Sequence, residues 1–315
     1  KTYSNKIGLA LVPEDIIKLK NNNLLSAAIG IENGYVIGED LSLLDHYYSL
    51  GARYMTLTHI GHNQIADSSI PSKRLNDEEE LHGGISAFGK KAIKRMNKLG
   101  MMIDISHISD KASLEAIKLS SAPVIASHSC VKSIADHPRN ISDELLFALK
   151  ENEGVIQITA FANYVKVNNE RFNSIISLGN KVAKLYGDKS FNPSLHSNKR
   201  EYLEGIENIN MEFPMPDIDD FIDHIDYVVD LIGVDYVGIS SDFGGGGGIN
   251  GWIDASETKL LTRKLKERGY SPKEIEKIWG GNILRVWKRV EAVSYTHLRA
   301  HETPEHLVCR LVLEK

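Results

Sequence analysis

Short apolar, β-branched runs recur along the chain, and each stops at a polar residue. They are IGIE (29–32), YMTLTH (54–59), MMIDISH (101–107), PVIASH (123–128) and YVGISSD (236–242), ending at Glu32, His59, His107, His128 and Asp242. Runs of this length and composition predict buried parallel strands, and the amphipathic stretches between them predict βα units. Residues 42–50 put Leu43, Leu44, Tyr47 and Leu50 at helical spacing. Residues 85–99 form a second amphipathic stretch closed by Gly100, and Ser109-Asp110 and Ser142 or Asp143 open two more. With residues 24–31 read as one strand and 154–161 as another, six strands precede the closing helices at 255–269 and 271–291. The pattern predicts a (β/α)8-type α/β barrel, in which the C-terminal strand ends form the rim that carries active sites. Two carboxylates and three imidazoles then share that rim.

Other segments read differently. Pro13 and the acidic pair after it predict a short helix ended by the Asn run at 21–23. The loop at 60–84 is polar, and its His62 and His82 are expected to face solvent. Arg139 lies in the polar HPRN loop, where spacing alone favours a surface charge, although a guanidinium fork also suits a substrate carboxylate. Residues 166–216 hold a helical stretch near 174–186 but no strand, which predicts a long insertion acting as a lid or a homodimer contact. His224 sits among acids within the helix at 217–233, where a solvated or capping role is expected. The glycines after Asp242 let a ligand approach the backbone, but no GK[ST] follows to make a phosphate loop.

Composition narrows the chemistry. The chain has 315 residues, enough for one large α/β domain, and a net charge of −5, which excludes a basic footprint for nucleic acid and favours a small-molecule substrate. Two cysteines, Cys130 and Cys309, make no disulfide framework, and no apolar run reaches transmembrane length. The chain starts at Lys1 rather than Met, so localisation is not legible.

The segments GIENGY, RYMTLTH, MNKLGMMIDISHIS, APVIASHS with DHPRN, GISSDF and GGNILRVW together resemble the membrane dipeptidase (renal dipeptidase) family of zinc metallopeptidases, from about Ile7 to Glu291. The resemblance implies a distorted (β/α)8 barrel that uses two zinc ions to hydrolyse dipeptides, including those with a C-terminal D-residue. By motif, Glu32 is expected to bridge the zincs and His107 and His128 to ligate the second. His59 would contact substrate and the developing oxyanion, Arg139 the substrate carboxylate, and Asp242 would be the acid beside the metal water. A His2Glu set with an open position suits a hydrolytic zinc.

Three departures from the family pattern stand out. No His-x-Asp pair precedes Glu32, so the first zinc site lacks its ligands. With six strands where a barrel needs eight, the chain is expected to lack the first two and to fold poorly. Gly244 replaces a further acid after Asp-Phe. From about Ser294, the tail (294–315) resembles translated sequencing-adapter sequence rather than the family domain (1–293). In its HETPEH, His301 and His306 are five apart around Pro304, which denies them one helix face. Excluding the tail leaves Cys130 as the one genuine cysteine, expected to be packed rather than ligating. Two other readings stay open: a non-catalytic barrel relative that binds a small ligand, and an amidohydrolase-type barrel acting on lactones or cyclic amides.

Overall fold

The computed structural model describes residues 3–299, with side chains through Tyr295. The chain opens with strand β1 (Ile7–Leu9), helix α1 (Pro13–Asn21) and strand β2 (Leu25–Ala27), and β1 pairs with β2 in a two-stranded parallel sheet. Next come β3 (Ile29–Glu32), α2 (Ser42–Ser49), β4 (Ala52–Thr56), α3 (Ala87–Leu99), β5 (Met102–Asp104), α4 (Asp110–Leu119), β6 (Ile125–Ser129), α5 (Asp143–Glu151) and β7 (Val155–Thr159). Four helices follow without a strand: α6 (Ala162–Val165), α7 (Asn169–Leu185), α8 (Pro193–His196) and α9 (Arg200–Glu212). The pattern resumes with α10 (Ile218–Ile232), β8 (Val237–Ser240), α11 (Thr258–Glu267) and α12 (Pro272–Glu276), and a π-helical turn at Lys277–Gly281 leads into α13 (Asn282–Arg299).

The six predicted strands form one parallel sheet in sequence order, β3-β4-β5-β6-β7-β8, as an α/β fold of successive βα units requires. Among the described residues β3 and β8 are its two edges. The segment expected to be one strand over 24–31 divides at Ala28, its first half pairing with β1 and its second with β4. Strand β1 has no counterpart in the sequence reading. The helix ends follow the predicted signals: Ser109 and Ser142 accept from Ala112 N and Leu145 N, and Gly100 closes α3 at φ +76°.

Alternation along the strands divides the core in two. Met55, Ile103, Ala126 and Ile156 face the surrounding helices. Their neighbours Tyr54, Met102, Ile125 and Val155 face the other way, onto Val286, Trp287 and Val290 of α13 and Ile16 of α1. That second face positions the site. One step up each strand, past the apolar layer, the register aligns Glu32 with Thr56 and Thr56 with Asp104. The helix α13 continues past Ser294 to Arg299; the remainder of the tail, with HETPEH and Cys309, lies outside the described residues.

Candidate metal centre

Glu32 is the last residue of β3, and His128 lies within β6. His59 and His107 follow β4 and β5 by three residues, and Asp242 follows β8 by two, so these side chains rise from loops rather than from the strands themselves. They nonetheless converge. Glu32 Oε1 lies 3.2 Å from His128 Nε2, 3.3 Å from His107 Nε2 and 3.6 Å from His59 Nε2. His107 Nε2 and His128 Nε2 are 2.8 Å apart. Bonds of about 2.0–2.2 Å to a four-coordinate divalent ion set neighbouring ligand atoms roughly 3.3 Å apart. The two Glu–His separations match that spacing, and the His–His pair opens by about half an ångström to reach it. His107 Nδ1 is buried without a hydrogen-bond partner among the described residues. The donor set therefore fits a small divalent cation on Glu32, His107 and His128, with His59 close enough to the same carboxylate to join or flank it.

Burial and mutual charge set the protonation of the group. The His107 imidazole beside it holds the Glu32 carboxyl well below the usual carboxylate range. Burial pushes His107 down to about 3 and also lowers His59, which keeps both rings neutral and able to ligate. Asp242 is raised, first by burial and then by the Glu32 carboxylate. It lines a cavity of about 470 Å³ together with Glu32, His128, Tyr54 and Ser127, whose floor is Ile283, Leu284 and Trp287 of α13. His59, His107 and Arg139 are not among the cavity's lining residues. Two glycines permit these approaches: a Cβ at Gly30 would collide with the Tyr54 ring, and one at Gly247 with the Ser241 carbonyl. Gly244, at φ +86°, sits in backbone that an acidic side chain would strain.

Arg139 corrects the reading from spacing. It is only 2% exposed, not a surface charge. Nη2 donates to the His128 carbonyl at 3.0 Å, the guanidinium lies 5.3 Å from the Tyr164 ring centroid, and Nε is buried with no partner among the described residues. Burial lowers its pKa, as it does that of His137, whose Nδ1 accepts from Arg139 N.

Two further histidines depart from expectation. His62 is buried, its Nδ1 accepting from Ser68 N and its Nε2 facing the Glu78 carbonyl, because the loop at 60–84 folds back around Asp67. His224 is fully buried rather than solvated, linking Val131 N to the Val165 carbonyl. His82 is exposed, and Cys130 is packed inside with its thiol pushed up to about 12 by burial. The sequence reading passed over Asp104, Ser127 and Thr56, which lie just beneath the imidazoles. An acid inside the apolar run MMIDISH was the available signal, since a buried carboxylate requires partners.

A family model described as membrane dipeptidase (peptidase family M19) matches residues 1–300. Dipeptidase verJ of Clonostachys rogersoniana is 31% identical over 307 residues, covering 97% of this chain and 65% of that relative. The probable dipeptidase PvdM from Pseudomonas aeruginosa superposes with a TM-score of 0.79 at 35% identity, covering 93% of this chain and 76% of that one. A metallo peptidase from Rhodobacter sphaeroides, liganded with a phosphinate mimic of the dipeptide L-Ala-D-Ala, shares the fold at a TM-score of 0.70 and 19% identity, covering 91% and 70%. The chain spans about half to two thirds of the length of the curated relatives it matches, from 46% to 65%.

Proposed function

This chain belongs to the membrane dipeptidase family, peptidase family M19, and from that premise we propose that it hydrolyses dipeptides with zinc held by Glu32, His107 and His128. The observation that carries the reading is the meeting of three imidazole nitrogens on one carboxylate oxygen within 3.2–3.6 Å. When bound, the ion would polarise the scissile carbonyl and acidify water. The remaining steps belong to the chain's own residues. Arg139 would receive the substrate's C-terminal carboxylate, its unpartnered Nε gaining the acceptor it lacks. His59, neutral and beside Glu32, would orient the carbonyl oxygen and donate a hydrogen bond as charge develops there. Asp242, its carboxyl raised by burial, would take a proton from the attacking water and deliver it to the leaving amine nitrogen. An insertion of helices α7 to α9 that closes over the rim or joins two copies, and a boundary between domain and tail near residue 293, are part of the same reading.

No helix among the described residues is long and apolar enough to cross a membrane. The mimic carried by the structural neighbour makes L-Ala-D-Ala the first substrate to try. Hydrolysis of that dipeptide by the zinc-loaded chain, lost on chelation, restored by zinc and absent with N-acetylated tripeptides, is the expected result. A chain that binds zinc yet cleaves no dipeptide would refute the proposal and favour a binding role.

A further inference from the structure

Beneath the imidazoles, Asp104 is fully buried on β5 and forms no ion pair among the described residues. Its Oδ1 accepts from Ser106 N at 3.0 Å and Ser127 N at 2.9 Å. Its Oδ2 accepts from Thr56 Oγ1 at 2.5 Å and Ser127 Oγ at 2.6 Å. Four donors, two backbone amides and two hydroxyls, converge on the carboxylate and fill its acceptor sites.

Ser127 has a single hydroxyl proton. Given to Asp104, it leaves only oxygen lone pairs facing His128 Nδ1, 2.7 Å away. That contact is a hydrogen bond only when Nδ1 carries the imidazole proton. The opposite arrangement, with the hydroxyl turned to His128, would press two oxygen lone pairs together at 2.6 Å between Ser127 and Asp104. A neutral ring protonated at Nδ1 is bare at Nε2, the atom that meets Glu32 and His107.

We propose that Asp104 and Ser127 are positioning residues that lock His128 in its Nδ1–H tautomer and so present its Nε2 lone pair to a divalent cation. The second half of this statement rests on the reading of Glu32, His107 and His128 as a cation site. The two imidazoles differ in this respect. Among the described residues His107 Nδ1 has no partner, so His107 is free to donate from Nε2 to the bare nitrogen of His128 until a cation takes the place of that proton. Ser106 adds to the arrangement by holding the His128 backbone: its Oγ accepts from His128 N at 3.0 Å. One buried carboxylate thus ties β4, β5 and β6 together and sets the direction of one ligand.

The test uses the full 315-residue chain labelled with ¹⁵N-histidine, the His128 signals being assigned by their loss in His128→Gln. In zinc-free protein, long-range ¹H–¹⁵N spectra should show a protonated Nδ1 and a bare Nε2 on His128. Ser127→Ala should mix the two tautomers and weaken zinc binding about 10- to 100-fold in competition with a chromogenic chelator, and Ser127→Thr, which keeps the hydroxyl, should restore both. A proton on Nε2 in the unaltered chain, or unchanged zinc affinity in Ser127→Ala, would overturn the relay. The two readings fail separately. A chain with the expected tautomer that binds no zinc overturns the cation site and the presentation of Nε2 to it, whereas zinc binding with the wrong tautomer overturns the relay alone.

Discussion

Replacing Arg139 with methionine separates a substrate-binding arginine from a structural one. The side chain is 2% exposed, donates a hydrogen bond to the His128 carbonyl, lies over the Tyr164 ring, and keeps Nε buried without an acceptor among the described residues. An arginine held for stability would have its donors met within the protein. This one is under-satisfied, and a carboxylate is the partner that fits its fork. Removing one side of a buried charge pair costs about 3–5 kcal/mol, so kcat/KM for L-Ala-D-Ala should fall on the order of 10²- to 10⁴-fold in Arg139→Met. The fold loses a desolvated cation held by the His128 carbonyl and the Tyr164 side chain, a loss offset in part by the removal of its desolvation, so its stability should change by only about 1 kcal/mol. The assay compares the dipeptide with its C-terminal amide, which has no carboxylate to bind, and records a melting curve for each protein. The unaltered chain should prefer the acid, and the variant should lose that preference while melting within a few degrees. An equal drop on acid and amide, or a preference that survives the substitution, would refute the assignment.

Two other outcomes follow from buried groups. His224→Ala leaves Val131 N and the Val165 carbonyl without their partner, so it should lower the unfolding free energy by about 2–4 kcal/mol; a denaturant titration showing less than about 1 kcal/mol would contradict the link. Glu291, on α13, is pushed up from 4.5 to about 6 by burial and then by the Glu14 carboxylate. A raised carboxyl means that the folded state resists ionisation, so its stability is whole below pH 4.5 and declines as pH rises through about 6. After allowance for solvent screening, Glu291→Gln should raise stability by less than about 1 kcal/mol at pH 7.5 and leave it unchanged at pH 4.5. Melting curves showing equal shifts at both pH values would sink this account.

Strands β4 to β8 were legible because a parallel strand covered on both faces is mostly apolar, as the runs ending near His59, His107, His128 and Asp242 are; β3, mostly exposed, was legible from its isoleucines and its acidic end. Strand β1 was not: it has three residues, mostly exposed, and no burial pattern to read; β2 was read only as the first half of one strand continuous with β3. The polar strand endings announced that a site existed and which residue types it held. They did not announce burial. Arg139 is covered through Tyr164, and His224 bonds to a residue 93 positions away; such contacts arise only once the elements pack. Asp104 shows the same limit from the other side. Its place in an apolar run marked it as unusual, but Ser127 and Thr56, which give it meaning, are ordinary residues in sequence.

Two residues of the centre, His107 and Asp242, hold left-handed backbone, at φ +71° and +55°. Each such position costs of order 1–3 kcal/mol for a residue other than glycine. Glycine would relieve that cost and erase the imidazole or the carboxylate. Selection for folding alone would therefore let both positions drift to glycine. The imidazole and the acid found there instead are what the metal-holding and proton-transfer roles proposed above require, held at a cost in stability.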